Sequence, residues 1–406
     1  MAIVEKYVTH DASGGDGSSG SPWTLAEAAA NASAGQRINV KAGAYTLGSR
    51  IEVANDGNQT NAVMWRGYKT SIGDLFPHRS GSHYTFGGRD RDTGMIDTSD
   101  MPQINVVTYG RSWDNDTNQH ISGLYFYGSV SAETTDFSTV ETGGSNNTWI
   151  GCVFKTTVTT GSSSGNLGLT QPASAVEIAD ANSVFVDCDF ICQPSSSPSN
   201  PDGFRCATIS GNRVTFHYCR FYMAGAATGA CVQEASAPTI YSHCVFDGNG
   251  TAKAGVFSAT AASAHAVCMD STFRNFNGPA IKRDDGDFDD TFFLSNSIIS
   301  DATYIFDSDY SGYLPFIIHN CRTRDIANAT TSVDDFPGDG SAFTTDTGTE
   351  TSDFHNPTSQ DIRPVPGSTN GWNQGLWREY TGVNNIGAYQ SRHKAAKSGV
   401  PRTYHT

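Results

Sequence analysis

The sequence predicts an all-β solenoid of stacked coils, and three observations carry the prediction. A small residue followed two positions later by a mostly aromatic one recurs as Cys152-Val-Phe154, Cys188-Asp-Phe190, Cys219-Arg-Phe221, Cys244-Val-Phe246, Ser271-Thr-Phe273, Ser297-Ile-Ile299 and Cys321-Arg-Thr323. From Cys219 onward the steps are 25, 27, 26 and 24 residues, a near-constant period that marks a stacked repeat. No helix-length apolar pattern lies inside that period, and the 42 glycines with abundant Ser, Thr, Asn and Asp between short apolar runs favour turns and strands.

Each coil is built from short strands. Three residues before each small residue stands an apolar one: Trp149, Phe185, Phe216, Tyr241, Cys268, Leu294 and Ile318. Side chains alternate along a strand, so that residue would face away from the small one unless the period were reset between them. The position just before the small residue is Gly151, Asp187, Tyr218, His243, Asp270, Asn296 or Asn320, mostly types that tolerate a left-handed backbone. A one-residue bend there turns both apolar positions inward.

A further strand lies 10 to 16 residues earlier in each coil. Its expected core column is Val176, Ala207, Val232, Phe257, Ile281 and Phe306, and its outward column is Glu177, Thr208, Gln233, Ser258, Lys282 and Asp307. The longest connections, from Ser163 to Leu169 and from Gln193 to Asp202, are expected to project from the sides.

Parallel coils leave open sheet edges that must be covered. Residues 1–36 are expected to form an N-terminal cap holding a short helix, with Ser21 as N-cap, Pro22 at its first position, and Trp23 and Leu25 plugging the first coil. The solenoid is assigned to residues 37–330, a C-terminal cap to 331–389 and a basic arm to 390–406, where Arg392, His393, Lys394 and Lys397 cluster.

With 41 acidic against 26 basic residues the net charge is −15, which argues against a nucleic-acid partner. No run approaches the ~18 apolar residues of a membrane span. The start, Met1 to Tyr7, lacks the charged and apolar regions of a signal peptide, so the chain is expected to be made and kept in a cytoplasm or released without signal-directed export. The nine cysteines read as reduced core residues: stacked positions about 4.8 Å apart with parallel side chains do not suit a disulfide. No CxxC or HxxxH spacing supports a metal site among them.

Tyr7-Val8, a Gly/Ser loop, Pro22-Trp-Thr-Leu25 and Arg37-Ile-Asn-Val-Lys-Ala-Gly-Ala-Tyr-Thr-Leu47 together resemble the opening of right-handed parallel β-helix proteins of the pectate-lyase-like superfamily. The resemblance continues through Trp65-Arg-Gly-Tyr-Lys-Thr70 with Gly73-Asp74. Asn385-Ile-Gly-Ala-Tyr389 is similar to the Asp-Ile-Gly-Ala-aromatic ending of many such chains, with Asn385 in place of the usual Asp. It implies a right-handed parallel β-helix over nearly the whole chain and says little about chemistry. The superfamily holds polysaccharide lyases, glycosidases, phage tailspikes and non-enzymatic virion proteins. It also implies that catalytic and Ca²⁺-binding residues, where present, sit on the outward column containing Glu177 and Asp307.

Within that column Glu177 and Asp307 are five coils, roughly 24 Å, apart. A glycosidase pair needs about 5 to 9.5 Å, so this column is expected to offer no working carboxylate pair, and Lys282 beside Asp307 reads as a surface ion pair. The densest acidic cluster is Asp284, Asp285, Asp287, Asp289 and Asp290, with Asp285, Asp287 and Asp289 as candidate Ca²⁺ ligands. The glycine is misplaced for a Ca²⁺ loop, and Asn296 stands where the bidentate Glu would be. Asp285, Asp287, Asp307 and Lys282 are the candidate catalytic residues.

Gly15-Asp-Gly-Ser-Ser-Gly20 matches GxGxxG without the βαβ context of a dinucleotide site. His217, Ser242 and His319 share one column and read as a polar rib. Trp113, Trp372 and Trp377 are candidate sugar-stacking residues or packing aromatics.

The expected function is a non-enzymatic structural protein of a virus particle, a head decoration or spike element. It would be assembled in the host cytoplasm, contact other virion or capsid subunits, present a rigid β-helix to host glycan, and form a homotrimer. No cofactor beyond the candidate Ca²⁺ is expected. The alternative is a polysaccharide depolymerase, either a tailspike-type glycosidase or a polysaccharide lyase, acting through loop residues.

Overall fold

The computed structural model describes residues 3–364 except 54, 76–94, 107–112, 132–136, 160–172, 180, 195–203, 226–228, 235–237, 253, 259–265, 284–291, 309–315, 320, 327–342, 346–353 and 357–360. Three parallel sheets run its length. Sheet 1 has eleven strands from Val4–Val8 to Phe316–His319, sheet 2 has nine from Ile51–Glu52 to Tyr304–Ser308, and sheet 3 has eleven from Gly43–Leu47 to Phe343–Thr345. Each strand pairs with its counterpart one coil away, so the chain forms a right-handed parallel β-helix. A two-stranded antiparallel hairpin, Phe354–Asn356 with Asp361–Pro364, follows the last coil.

The bends required by the sequence periodicity are present. Gly151, Asp187, Tyr218, His243, Asp270 and Asn296 have φ of +59°, +55°, +57°, +56°, +53° and +47°. They lie between sheets 1 and 3, and from Gly151 to Asp270 the amide of each donates to a carbonyl of the next coil, as in Tyr218 N to Ser242 O at 2.9 Å and His243 N to Met269 O at 3.0 Å. The corner between sheets 2 and 1 is a second left-handed column, Asn118, Asn146, Asn182 and Arg213, at φ of +56° to +60°. Asn takes αL at small cost because its short polar side chain bonds locally.

The core is a set of ring stacks produced by register. Phe126, Phe154, Phe190, Phe221, Phe246 and Phe273 stack face to face along sheet 3, with centroids 4.5 to 5.4 Å apart. Trp149, Phe185, Phe216 and Tyr241 do the same on sheet 1 at 5.1 to 6.0 Å. The two stacks meet edge to face, as Phe190 against Phe216 at 5.7 Å and 81°. All nine cysteines are free and buried. Cys152, Cys188, Cys219, Cys244 and Cys321 each aim Sγ at a carbonyl of the preceding coil at 3.5 to 3.8 Å. Burial pushes the thiols of Cys152 and Cys219 well above their ordinary pKa, so they stay protonated and unreactive.

Two expectations need correction. The capping helix is Leu25–Asn31 and its N-cap is Thr24, not Ser21. Thr24 and Glu27 form a reciprocal capping box, with Glu27 N donating to Thr24 Oγ1 at 3.2 Å and Thr24 N donating to Glu27 Oε2 at 2.8 Å. Pro22 and Trp23 lie before it because Trp23 N donates to Tyr7 O at 2.9 Å, holding that segment against the first strand. Trp23 and Leu25 are buried, as plugs of the first coil should be. In sheet 2, Val232 pairs with Val256 and Gln233 with Phe257, so Val256 takes the core position assigned to Phe257 and Phe257 the column position assigned to Ser258. The repeat there slips by one residue, and a one-residue slip exchanges the faces.

Candidate site on the outer face of sheet 2

The outward column of sheet 2 extends three coils further toward the N-terminus than the sequence periodicity indicated. Register links Glu52 to Asp114, Asp114 to Glu141 and Glu141 to Glu177. It then continues through Thr208, Gln233, Phe257, Lys282 and Asp307. The expectation that this column lacks a carboxylate pair is therefore overturned: Glu177 has Glu141 one coil away, about 4.8 Å, and Asp114 two coils away, about 9.6 Å.

The strand supplies the geometry. In each of four successive coils an apolar residue turned into the core precedes the acid: Ile51-Glu52, Trp113-Asp114, Val140-Glu141 and Val176-Glu177. Alternation sends the first inward and the second outward. Ile51, Trp113, Val140 and Val176 are all buried. This apolar-acidic pair was the signal available in the sequence. Irregular spacing hid it, because loops of unequal length separate the first coils.

Arg50 organises the ladder. Its guanidinium Nη2 pairs with Asp114 Oδ2 and lies 3.6 Å from Glu141 Oε2, while Nε is 3.5 Å from Glu52 Oε1. Burial alone would lower the Arg50 pKa, but the hydrogen bond to Asp114 and the charges of Asp114, Glu141 and Glu52 outweigh it and raise the pKa above its ordinary value. The side chains grade from open to enclosed along the column, with Glu52 70% exposed, Asp114 25% and Glu141 11%. Glu177 is half-buried.

A second acidic pair flanks the ladder at the corner leading to sheet 1. Thr117 N donates to Asp56 Oδ1 at 2.8 Å and to Asp116 Oδ1 at 3.0 Å, so the two carboxylates converge on one amide. Burial and then the hydrogen bond to Asp56 push the Asp116 pKa up. Farther along the column Gln233 Oε1 accepts from Arg205 Nε at 2.9 Å, which fixes the amide. Arg205 also donates through Nη1 to Phe204 O at 2.8 Å. The face thus runs from a charged end to an uncharged middle at Thr208 and Gln233.

Of the other sequence candidates, Lys282 and Asp307 are in register on adjacent coils, and Asp307 stands five register steps from Glu177. The Asp307 side chain lies outside the described residues, as do Asp284, Asp285, Asp287, Asp289 and Asp290, Trp372, Trp377 and the arm from Arg392. Among the described residues no three His, Cys, Asp or Glu side chains form a group able to hold a metal ion. Trp113 is no sugar platform: it is fully buried, edge to face with Trp65 at 5.2 Å and Phe126 at 5.5 Å.

The glycine-rich segment is a packing turn. Gly17 N donates to Ser21 O at 2.9 Å, Tyr7 N donates to Gly17 O at 3.0 Å, and a Cβ on Gly17 would meet the Trp23 ring at 2.7 Å. His217 and Ser242 are in register, with Met269 and Ser295 between Ser242 and His319. Ser242 Oγ lies 2.9 Å from His243 Nδ1. Among the described residues no helix is long and apolar enough to cross a membrane.

Comparison with known proteins adds the fold relationship. No family model matches the chain, and no curated protein sequence matches it. Among solved structures it is similar to the pectate lyase Pel9A, with 12% identity, 96% of each chain covered and a TM-score of 0.57. It is also similar to a rhamnogalacturonan lyase, with 11% identity, 89% of this chain and 95% of that one covered and a TM-score of 0.47. Tailspike protein 3 of bacteriophage CBA120 gives 12% identity, 84% and 61% coverage and a TM-score of 0.25. At these identities the likeness is one of fold: on sheet order, register and the Pel9A superposition the chain is a parallel β-helix.

Proposed function

We propose that this chain is a polysaccharide-engaging β-helix protein whose working face is the charged end of sheet 2, centred on Arg50, Asp114, Glu141 and Glu177. The observation that carries the reading is the unbroken register of carboxylates on successive coils. Adjacent members lie about 4.8 Å apart and alternate members about 9.6 Å apart, close to the separations of about 5 to 5.5 Å and 6.5 to 9.5 Å used by retaining and inverting glycosidases. A rigid stack holds such a pair without a loop having to order first. The fold likeness to a pectate lyase supports polysaccharide as the ligand class by analogy of architecture.

In this reading Arg50 orients Asp114 and Glu141. Glu141, the most enclosed carboxylate of the ladder, faces the scissile oxygen, and Asp114 or Glu177 faces the opposite side of the sugar. The test is incubation of the purified chain with neutral and acidic polysaccharides, with Ca²⁺ or with EDTA, reading new reducing ends and unsaturated sugar products. Cleavage that falls at least ~100-fold in Glu141→Gln and in Asp114→Asn, with the fold retained, is the expected result. Binding without cleavage reduces the reading to a lectin-like one. No binding to any glycan overturns it.

A second reading keeps the sequence-based expectation of a non-enzymatic element of a virus particle that presents a rigid rod to host glycan or neighbouring subunits, alone or as a trimer. The observation favouring it is that Arg50 already engages Glu52, Asp114 and Glu141, the arrangement of a charge-compensated structural surface. Ca²⁺ at the Asp285, Asp287 and Asp289 cluster would serve either reading. Mass spectrometry of purified particles separates the two: co-purification with capsid or tail proteins, without glycan cleavage, supports the second.

A further inference from the structure

We propose that the glycan this chain works on is uncharged and is cut by water, and that it is not a polyuronate opened by β-elimination. The inference rests on the reading of the sheet 2 ladder as the working face and names the substrate class of that site. It separates this chain from the pectate lyase Pel9A, whose fold it resembles.

The charge of the face carries it. Glu52, Asp114, Glu141 and Glu177 stand on four successive coils about 4.8 Å apart, and Asp56 and Asp116 converge on the Thr117 amide at the adjoining corner. Among the described residues Arg50 is the one cation paired with this end of the column, and it already engages Glu52, Asp114 and Glu141. Beyond Glu177, Arg205 is 6% exposed and donates to Gln233 Oε1 and Phe204 O. Lys282 stands four coils from Glu177, in register with Asp307. A polyuronate carries a carboxylate on every sugar, so laying it along the ladder sets like charges side by side, in a chain whose net charge is already −15. Nor do the described residues place three His, Cys, Asp or Glu side chains as a group able to hold a bridging metal ion. Sugar hydroxyls meet no such barrier: carboxylates accept hydrogen bonds from them, and Thr208 and Gln233 continue the column with uncharged polar groups. A cationic glycan would be drawn in, but it would tie up the carboxylates that have to move protons.

The same charge decides the reaction. β-Elimination takes the proton next to the uronate carboxyl, which needs a cation to neutralise that carboxyl and a base beside the sugar carbon. The ladder repels the carboxyl. Against the effect of its burial, the hydrogen bond to Asp114 and the charges of Asp114, Glu141 and Glu52 hold Arg50 protonated, so it is no proton acceptor. Hydrolysis needs only what the ladder holds. One carboxyl gives its proton to the glycosidic oxygen as the bond from that oxygen to the anomeric carbon breaks. Water forms the new bond to the anomeric carbon and gives its proton to the other carboxylate. Two shorter chains result, each ending in a hydroxyl at the cut, with no oxidant or reductant required.

The test is binding and cleavage, by the full chain, of glycans matched in backbone and differing in charge: polygalacturonate and its methyl ester, carboxymethylcellulose and hydroxyethylcellulose, and chitosan and chitin oligosaccharides, each with Ca²⁺ and with EDTA. In a pair that is bound, the uncharged member should be held at least ~10-fold more tightly than its anionic twin at about 0.01 M salt, and the difference should shrink at about 1 M. Products should show new reducing ends and no unsaturated sugar. Glu52→Lys, at a rung 70% exposed, reverses a charge outside the enclosed pair and should narrow the preference at least ~3-fold, with circular dichroism checking that the variant is folded. Tighter hold on the anionic twin, with or without Ca²⁺, a preference for chitosan over chitin oligosaccharides, or unsaturated products would each overturn this proposal while leaving glycan as the ligand. Selective binding without cleavage would overturn the hydrolytic step, and a folded Glu52→Lys chain with unchanged preference would overturn the ladder as the source of selectivity. No binding to any member would remove the reading of the ladder as a glycan site, and this inference with it.

Discussion

Sheets 1 and 2 are made by the same coils and turn the same kind of residue inward, yet their outer faces have opposite character. Inward, sheet 1 stacks Trp149, Phe185, Phe216 and Tyr241 and sheet 2 stacks Val140, Val176, Ala207 and Val232, all buried. Outward, sheet 2 begins with four carboxylates around Arg50, while sheet 1 runs seven coils without a formal charge. Stacking at a fixed spacing demands like beside like in the interior, where each ring or branched side chain meets its own counterpart. It places no such demand on the exterior. The columns that the fold leaves free are those in which the two faces have diverged, and the proposed function rests on the one in sheet 2.

The comparison is most severely challenged through the interior that the sheets share. Phe190 stacks between Phe154 and Phe221 at 5.0 and 4.9 Å and meets Phe185 and Phe216 edge-on. Phe190→Ala should cost about 3 to 5 kcal/mol in denaturant unfolding. A cost below ~1 kcal/mol would mean that the stack does not hold the coils.

The charged face should respond less, and in a pH-dependent way. Arg50→Ala leaves Asp114 and Glu141 facing each other without their cation, and should cost about 1 kcal/mol at pH 7 after allowance for solvent screening. Ion-pair stabilisation needs ionised carboxylates, so the gap between wild type and variant should close as pH falls through the carboxylate range near 4. Arg50 itself, with its pKa raised, stays charged throughout. A gap that persists at pH 3 would assign the loss to packing of the arginine stem.

Glu234 breaks the rule that the interior is apolar. It is 2% exposed, in register with Ile209 on the inward side, and its Oε1 accepts from the Tyr241 hydroxyl at 2.6 Å. Burial and the neighbouring Glu234 carboxylate push the Tyr241 pKa well up, so Tyr241 remains the donor. Glu234→Gln keeps an acceptor and removes a buried charge, and should raise thermal stability by up to about 1 kcal/mol. A loss of more than that would show that the charge itself is required.

The smallest effect belongs to the corner between the two faces. Asp116 has a raised folded-state pKa, so its proton is held more tightly in the folded chain than in the unfolded one. Its contribution to stability is fully present below the unfolded carboxylate pKa and is lost as pH rises through the folded value. Asp116→Asn should therefore gain about 0.5 kcal/mol or less at pH 7 and nothing at pH 3. Equal gains at both pH values would remove proton sharing with Asp56 as the cause.

Much of this architecture is legible in the amino-acid order. The spacing of Cys219, Cys244, Ser271, Ser297 and Cys321 defines the coil, and the αL-tolerant residues before them locate the bend at the correct positions from Gly151 to Asn296. The candidate site was less legible for two reasons. Its first three rungs lie where loops of unequal length interrupt the period, so Glu52, Asp114 and Glu141 could not be aligned with Glu177 by counting. Near Val256 the period slips by one, which alternation alone cannot detect because either Val256 or Phe257 satisfies an apolar column.

Local chemistry, then, suffices for the coil: which residues stack, where the backbone must turn left-handed, and that the thiols stay small, buried and free. Which carboxylates become neighbours depends on strand register across connections of any length. A backbone hydrogen-bond ladder brings Asp114 within one coil of Glu141, although 27 residues separate them in sequence. Arg50, 64 residues from Asp114, meets it only because the ladder places their strands side by side. The uncharged strip of sheet 1 has the same origin, since its members come from seven separate strands and form a surface only when the coils are stacked.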